Sequence, residues 1–142
     1  FPGLTDSNKL SDVLAAQGGW PSLSSLKIHF IFCLSGNEDW KKVYYHNNST
    51  RICFADCSDI DKLTVSNSRV VYNVESGHGK PSDFNTLMEK KMLIRVDNVN
   101  SEDDWNAAIG MGANLLATDR VSDNEWAAVS STGLFAQRSR IS

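Results

Sequence analysis

Short segments of branched and aromatic residues recur along the chain, and more polar segments with helical character separate most of them. Each apolar segment has the length and composition of a buried β-strand. The predicted strands are residues 27–34, 51–55, 69–74, 92–96 and 114–117. Because strands that alternate with helices build parallel sheets, this pattern predicts a single α/β domain over residues 1–142.

The segments between the strands carry helix signals. Leu10, Val13 and Leu14 recur at helical spacing, and Asp6 or Ser7 precedes them as a capping residue. Three further helices are predicted over residues 38–44, 82–88 (capped by Ser82 or Asp83) and 101–109. The predicted helices therefore follow the first, third and fourth strands, as in repeated βα units.

The clearest helix begins at Ser101, with Asp104 at the third position after it. This is a capping box in which Asp replaces the usual Glu. Trp105, Ala108 and Ile109 form one apolar face. We therefore expect the Trp105 indole to pack between this helix and the sheet and to have no ligand role.

Composition and charge exclude several classes of protein. The 142 residues include 14 Lys and Arg against 17 Asp and Glu, for a net charge of −3. No apolar run approaches the roughly 18 residues of a transmembrane helix. No basic block indicates a nucleic-acid surface. We therefore expect neither a transmembrane segment nor a nucleic-acid partner.

Two features favour a secreted protein. The chain begins at Phe1, which indicates upstream processing or a fragment. Asn47 and Asn48 each begin an N-glycosylation sequon in a polar stretch that we expect to be exposed.

The three cysteines, Cys33, Cys53 and Cys57, allow at most one internal disulfide. We expect Cys53 and Cys57 to lie close enough to pair, or one cysteine to bond outside the chain. Cys33 falls inside a predicted buried strand, where we expect a free thiol.

Candidate chemistry follows the strands, because ligands in parallel βα folds lie beyond the carboxyl ends of the strands. The candidate binding residues there are Asn37, Asn73, Glu75, Arg95, Asp97 and Asp119. Carboxylates that converge with one arginine suit a metal and an anionic group such as a phosphodiester. Asp and Asn at strand ends also commonly cap helices or close turns, so the same residues have a purely structural interpretation.

Arg95 and Asp97 are the strongest pair. They alternate on one predicted strand, so both side chains should point to the same side of the sheet. We expect that side to be the interior of a barrel, near its carboxyl-end mouth, where ions are rare unless paired.

Two segments carry a family resemblance. Residues 19–23 (GWPSL), followed by the strand at 30–32, resemble the GWPTL-like turn of the calcium-dependent phosphoinositide phospholipase C family of secreted microbial proteins. Residues 112–119 (GANLLATD) resemble the ending shared by the wider PLC-like phosphodiesterases. The resemblance runs from about residue 6 to 126, although residues 44–91 match only in outline.

The resemblance implies the carboxyl-terminal half of a TIM-type (β/α)₈ barrel, since such barrels need about 250 residues. It implies cleavage of a phosphodiester, of phospholipid or glycerophosphodiester type, with Ca²⁺ or another divalent metal. The catalytic histidines and most metal ligands would lie in an amino-terminal half, supplied as a second polypeptide or an absent segment. Arg95 would then hold the phosphate, and Asn37, Asn73, Glu75, Asp97 and Asp119 would line the rim.

One departure from the family keeps a second interpretation open. The family often has VRTRAD in the penultimate strand, whereas this chain has Asp97 where the second arginine would fall. The alternative is a catalytically inactive PLC-like barrel that binds a sugar or lipid as a lectin, toxin or defence protein. An independent small α/β domain is a third interpretation.

Overall fold

The computed structural model describes residues 5, 7–22, 24–45, 53–60, 69–120, 122 and 125–127. In these ranges the helices are α1 (Leu10–Ala16), α2 (Glu38–Tyr45), α3 (Pro81–Glu89) and α4 (Glu102–Gly110). The strands are β1 (Phe32–Leu34), β2 (Cys53–Cys57), β3 (Val71–Glu75), β4 (Leu93–Asp97) and β5 (Leu115–Leu116). The sequons at Asn47 and Asn48 lie outside the described residues.

The strands form one all-parallel sheet in the order β1-β2-β3-β4-β5, and the sheet curls as part of a barrel does. The predicted α/β class with a parallel sheet is therefore confirmed. The most extensive pairing joins β3 to β4 over five residue pairs, from Val71↔Leu93 to Glu75↔Asp97. Of the helices in the described ranges, none combines the length and apolar character needed to cross a bilayer.

One apolar cluster joins the helices to the sheet. Ile94 and Val96 on β4 are almost fully buried, as are Phe84 and Leu87 on α3. The complete cluster is Leu14, Cys57, Ile60, Val70, Val71, Tyr72, Val74, Phe84, Leu87, Met92, Ile94, Val96, Val99 and Ala108. Since side chains alternate across a strand, the neighbours of Ile94 and Val96 on β4 point to the opposite face.

The helix starts show which capping predictions hold. Ser101 caps α4: its Oγ accepts a hydrogen bond from the Asp104 amide at 3.1 Å, as predicted. A second bond, in which the Ser101 hydroxyl donates to Asp104 Oδ2 at 2.7 Å, lowers the pKa of the Asp104 carboxyl. The cap predicted for α3 is wrong, because the helix begins at Pro81 after Lys80. Proline fits this first helical position, where its absent N–H would have no partner.

Trp105 lies where the apolar face of α4 predicts. Its side chain is half-buried and packs against the apolar cluster. The ring also meets that of Trp126 edge to face, with centroids 5.7 Å apart. Since Trp126 covers part of it, the indole is shielded from both sides.

The first strand is shorter and far more exposed than predicted. Residues 27–34 were expected to form a buried strand, but only Phe32–Leu34 pair as β1. Phe30 is 85% exposed and Phe32 is 56% exposed. The reason is topological: β1 is an edge strand, and among the described residues only β2 pairs with it. Local sequence predicts strand propensity but not the neighbours that bury a strand.

The expectations for the cysteines also need correction. Cys53 and Cys57 are the first and last residues of β2. At about 3.3 Å per residue their Cα atoms lie roughly 13 Å apart, whereas a disulfide spans at most about 7 Å. They therefore cannot pair with each other. Cys33, expected to be buried, is exposed on the edge strand β1.

Candidate functional site

An open groove of about 490 Å³ lies at the carboxyl ends of β2, β3 and β4. Its walls come from the residues just after β2, from the end of β3 and the glycine-rich turn after it, and from the end of β4. The lining residues are Ser58, Asp59, Ile60, Asn73, Glu75, His78, Gly79, Asp97 and Asn98. The groove thus occupies the place where parallel βα folds bind their ligands.

The pairing of β3 with β4 brings four of the six candidate residues together. The register sets Asn73 beside Arg95 and Glu75 beside Asp97. All four side chains therefore share one face of the sheet, opposite the face that Ile94 buries. The expectation that Arg95 and Asp97 point to the same side is confirmed.

Arg95 is anchored through one of its nitrogens. Its Nη1 donates hydrogen bonds to Asn73 Oδ1 and to Asp97 Oδ2, the latter at 3.3 Å. Within the described part of the chain, the Nη2 and Nε atoms make no hydrogen bond, and the side chain is 37% exposed. The arrangement fixes the guanidinium plane and leaves donors to bind an acceptor such as a phosphate oxygen.

Glu75 forms the outer wall of the groove. Its Oε1 accepts a hydrogen bond from Asn98 Nδ2 at 3.1 Å, and its Oε2 lies 3.8 Å from His78 Nδ1. Both Glu75 and His78 are more than half exposed. These side chains can accept hydrogen bonds from a hydroxyl-bearing ligand.

Gly79 shapes the turn that lines the groove. Its φ of +82° is one that residues with a side chain rarely adopt. A Cβ there would also lie 2.7 Å from Ile60 Cδ1 and 3.0 Å from the Phe84 ring. The groove wall therefore packs directly on the apolar cluster, which gives it a rigid support.

Asn37 and Asp119 lie outside the groove and have structural contacts. Asn37 Oδ1 accepts a hydrogen bond from the Asp39 amide at 2.8 Å, at the start of α2. Asp119 is tied to Asn100, whose Oδ1 accepts from the Asp119 amide at 2.9 Å and whose Nδ2 donates to its carboxylate at 3.1 Å. The Asn37 contact is that of a capping residue. The Asp119 contacts instead join the segment after β5 to Asn100, 19 residues earlier in the segment after β4.

The structure contains a buried ionic network beside the sheet that was not predicted from the sequence. Lys41 Nζ, 2% exposed, lies 2.6 Å from Asp56 Oδ1 and 2.8 Å from Glu38 Oε1. Asp56 is also buried and accepts a hydrogen bond from Ser35 Oγ. Arg69 extends the network: its Nη1 donates to the Asp56 carbonyl at 3.1 Å, and its guanidinium pairs with Glu38.

The network shifts the pKa values of two of its side chains, Lys41 and Glu38. Burial opposes the charged form of Lys41, but hydrogen bonds to Asp56 and Glu38 outweigh it and raise the pKa of the ammonium. The Arg69 hydrogen bond, assisted by Lys41, lowers the pKa of Glu38 from 4.5 to about 2. Glu38 and Lys41 are therefore charged at neutral pH, and each has a protein partner. The network fastens α2 and β2 together and offers no open ligand position.

The depressed pKa of Glu38 predicts an acid-dependent stability. A carboxylate whose pKa is lower in the folded state stabilises above its unfolded pKa, and this contribution is lost as pH falls from 4.5 toward 2. We expect Glu38→Gln to flatten the pH dependence of the urea midpoint in that window.

The matched control for Glu38 is Asp39→Asn, at a neighbouring position of α2. Asp39 is 83% exposed and pairs only across the surface with Lys42, at 3.2 Å. This variant should retain the wild-type pH dependence. An unchanged profile in Glu38→Gln would contradict the assigned role of Glu38.

The family resemblance implies that most ligands of a divalent metal lie outside this chain. Across the residues that the structure describes, no three His, Cys, Asp or Glu side chains group in a way that could hold a metal ion. The groove carboxylates are spread over separate walls, so the described residues do not fit a complete divalent-metal site.

Three comparisons with known proteins give no family to assign. The chain matches no family model, no curated protein and no solved structure at the level that would count as similarity. The basis for what can be proposed about function is therefore the groove together with Arg95, which does not line it but donates hydrogen bonds to two lining residues, Asn73 and Asp97.

Proposed function

We propose that this chain is the carboxyl-terminal half of a PLC-like phosphodiesterase barrel and that its groove binds a phosphodiester. The curled, all-parallel sheet has five strands in sequential order, as one side of a (β/α)₈ barrel would. The GWPSL turn and the GANLLATD ending, at residues 19–23 and 112–119, add the family resemblance. The polar groove at the carboxyl ends of the strands is consistent with this assignment.

Arg95 is the observation that carries the proposal. Asn73 and Asp97 hold its Nη1, so the guanidinium is oriented before any ligand arrives. Its remaining N–H groups match the fork geometry with which arginine binds phosphate oxygens. Glu75 and Asn98, at the rim of the groove, would accept and donate hydrogen bonds to the hydroxyl groups of a glycerol or polyol portion.

The remaining chemistry would come from the complementary half of the barrel. A histidine there would act as general base. A divalent cation, when bound, would stabilise the developing charge on the phosphate. The residues of this chain would then bind and orient the diester rather than transfer its protons.

Asp97 favours a second candidate, a binding protein without catalysis. Its carboxylate lies 3.3 Å from Arg95 Nη1 and offsets part of the positive charge that a phosphate needs. With Asp59 and Glu75 it makes the groove rich in acceptors, which suits the hydroxyl groups of a neutral sugar.

Ligand titration of the full chain separates the two candidates. The probes are glycerophosphoinositol, a water-soluble phosphodiester, and free inositol, which carries no phosphate. We expect the diester to bind more tightly than inositol, and Arg95→Gln to weaken diester binding by about 10- to 100-fold. That range corresponds to the roughly 1.5–3 kcal/mol of a hydrogen bond to a charged group.

The control for the titration is Arg120→Gln, which removes an exposed arginine that follows β5, a strand that does not contribute to the groove. Its diester affinity should stay within about twofold of the wild type. Equal affinity of Arg95→Gln and wild type would contradict the phosphate role. Equal binding of the diester and inositol would favour the sugar-binding candidate.

A further inference from the structure

In the part of the chain that the structure describes, the outer edge of β1 has no strand beside it. Among the described residues β1 pairs with β2 alone, over Phe32↔Cys53 to Leu34↔Ala55. An edge strand presents a row of backbone N–H and C=O groups to whatever lies next to it. Most edge strands of folded proteins are protected by charges, proline or a covering element. The segment before β1 has one lysine, Lys27, and then only apolar residues and His29.

The same segment exposes large apolar side chains. Ile28 is 97% exposed, Phe30 85% and Phe32 56%. The rings of Phe30 and Phe32 lie 6.3 Å apart, as expected for side chains two positions apart on one face of an extended chain. Scaled by their exposed fractions, the two rings present apolar area on the order of 300 Å², taking about 150–250 Å² for a whole aromatic side chain. Apolar patches of a few hundred Å² are often functional.

The backbone before β1 is strained as well as exposed. Ile28 has a φ of +67°, a left-handed conformation that is unfavourable for a β-branched side chain. Its sequence context instead favours a strand from residue 27 to 34. An extended backbone at Ile28 would remove the strain, and pairing with another strand would hold it there.

We propose that the outer edge of β1 binds an apolar β-strand from a complementary polypeptide segment, which extends β1 from Phe32–Leu34 to residues 28–34. A polypeptide fits because the outer backbone groups of β1 run beside the apolar side chains, and a paired strand would replace the turn hydrogen bond from the His29 amide to the Leu26 carbonyl. Hydrocarbon from a lipid would cover Phe30 and Phe32 but leave those groups without partners. The inference rests on the half-barrel of the proposed function, in which three further strands would complete the eight.

The test adds a strand to the full chain. A seven-residue strand of alternating Val and Thr is fused to Phe1 through a Gly/Ser linker of about 20 residues, which reaches roughly 25 Å. The matched fusion carries Pro in place of each Thr, so that it cannot pair as a strand. Hydrogen exchange of residues 28–34 is the readout. Exchange of β3 and β4 serves as the internal check that both fusions are folded.

We expect the Val/Thr fusion to slow exchange of residues 28–34 by at least about tenfold relative to the Pro fusion. In the Val/Thr fusion, Phe30→Asp should abolish the slowing, because it puts a charge on the pairing surface. Trp40→Asp should preserve it, because Trp40 is also largely exposed, at 73%, but lies on α2.

Three results would overturn the inference. Equal exchange in the two fusions would show that the edge does not take a strand. Slow exchange in the unfused chain at low concentration would show that the chain already covers its own edge. Protection that rises with concentration together with a dimer mass would identify a second copy as the occupant. None of these readouts uses a ligand. Loss of diester binding alone would therefore refute the proposed activity without contradicting the inference that the edge of β1 binds a strand.

Discussion

Replacement of Lys41 by Met is expected to lower the free energy of unfolding by about 3–5 kcal/mol, measured by urea denaturation at pH 7. The Lys41 ammonium is buried 2.6 Å from the Asp56 carboxylate. Removing the cation leaves the Asp56 carboxyl group buried, with the Ser35 hydroxyl as its remaining side-chain hydrogen bond among the described residues. An uncompensated charge in that position costs more free energy than the ion pair contributes by itself.

Two comparisons test whether the buried charge causes the loss. Lys42→Met changes the next residue, whose side chain is 70% exposed and pairs with Asp39 only at the surface. That variant should stay within about 0.5 kcal/mol of the wild type. The double variant Lys41→Met with Asp56→Leu removes both charges and should recover much of the loss. If Lys41→Met and Lys42→Met destabilise equally, the network does not have the proposed role.

Replacement of Phe84 by Ala should destabilise the protein by a similar amount, about 3–5 kcal/mol. The Phe84 side chain is 1% exposed, in the cluster that joins α3 to the sheet. Its ring also lies against Gly79, whose turn lines the groove. Truncation therefore leaves a cavity behind the groove wall, and affinity for the groove ligand should fall together with the urea midpoint.

The control for Phe84 is Trp40→Ala, which removes a larger aromatic side chain that is 73% exposed on α2. This change should alter the free energy of unfolding by less than about 1 kcal/mol, because little buried area is lost. A loss in Trp40→Ala as large as that in Phe84→Ala would show that α2 is covered by contacts that the described residues do not include.

Local sequence determined the elements of this protein and the pairing of its clearest candidate residues. Apolar segments of strand length, separated by helix signals, predicted the parallel α/β sheet, and Ser101 with Asp104 predicted the start of α4. The alternation of Arg95 and Asp97 predicted a shared face. These features depend on neighbours within a few residues along the chain, which is the range over which propensity, capping and strand alternation act.

Only the tertiary structure decided which polar residues meet and which apolar residues remain exposed. Asn73 joins Arg95 through the β3–β4 register, whereas Asn37, which has the same strand-end pattern, caps the start of α2. Asp119 also follows a strand but is held by Asn100 instead of facing the groove. Asp56 lies opposite Lys41 because α2 folds back over β2, a contact 15 residues apart. Sequence spacing does not encode such distant contacts, since burial and register depend on where the sheet ends and on what packs against it.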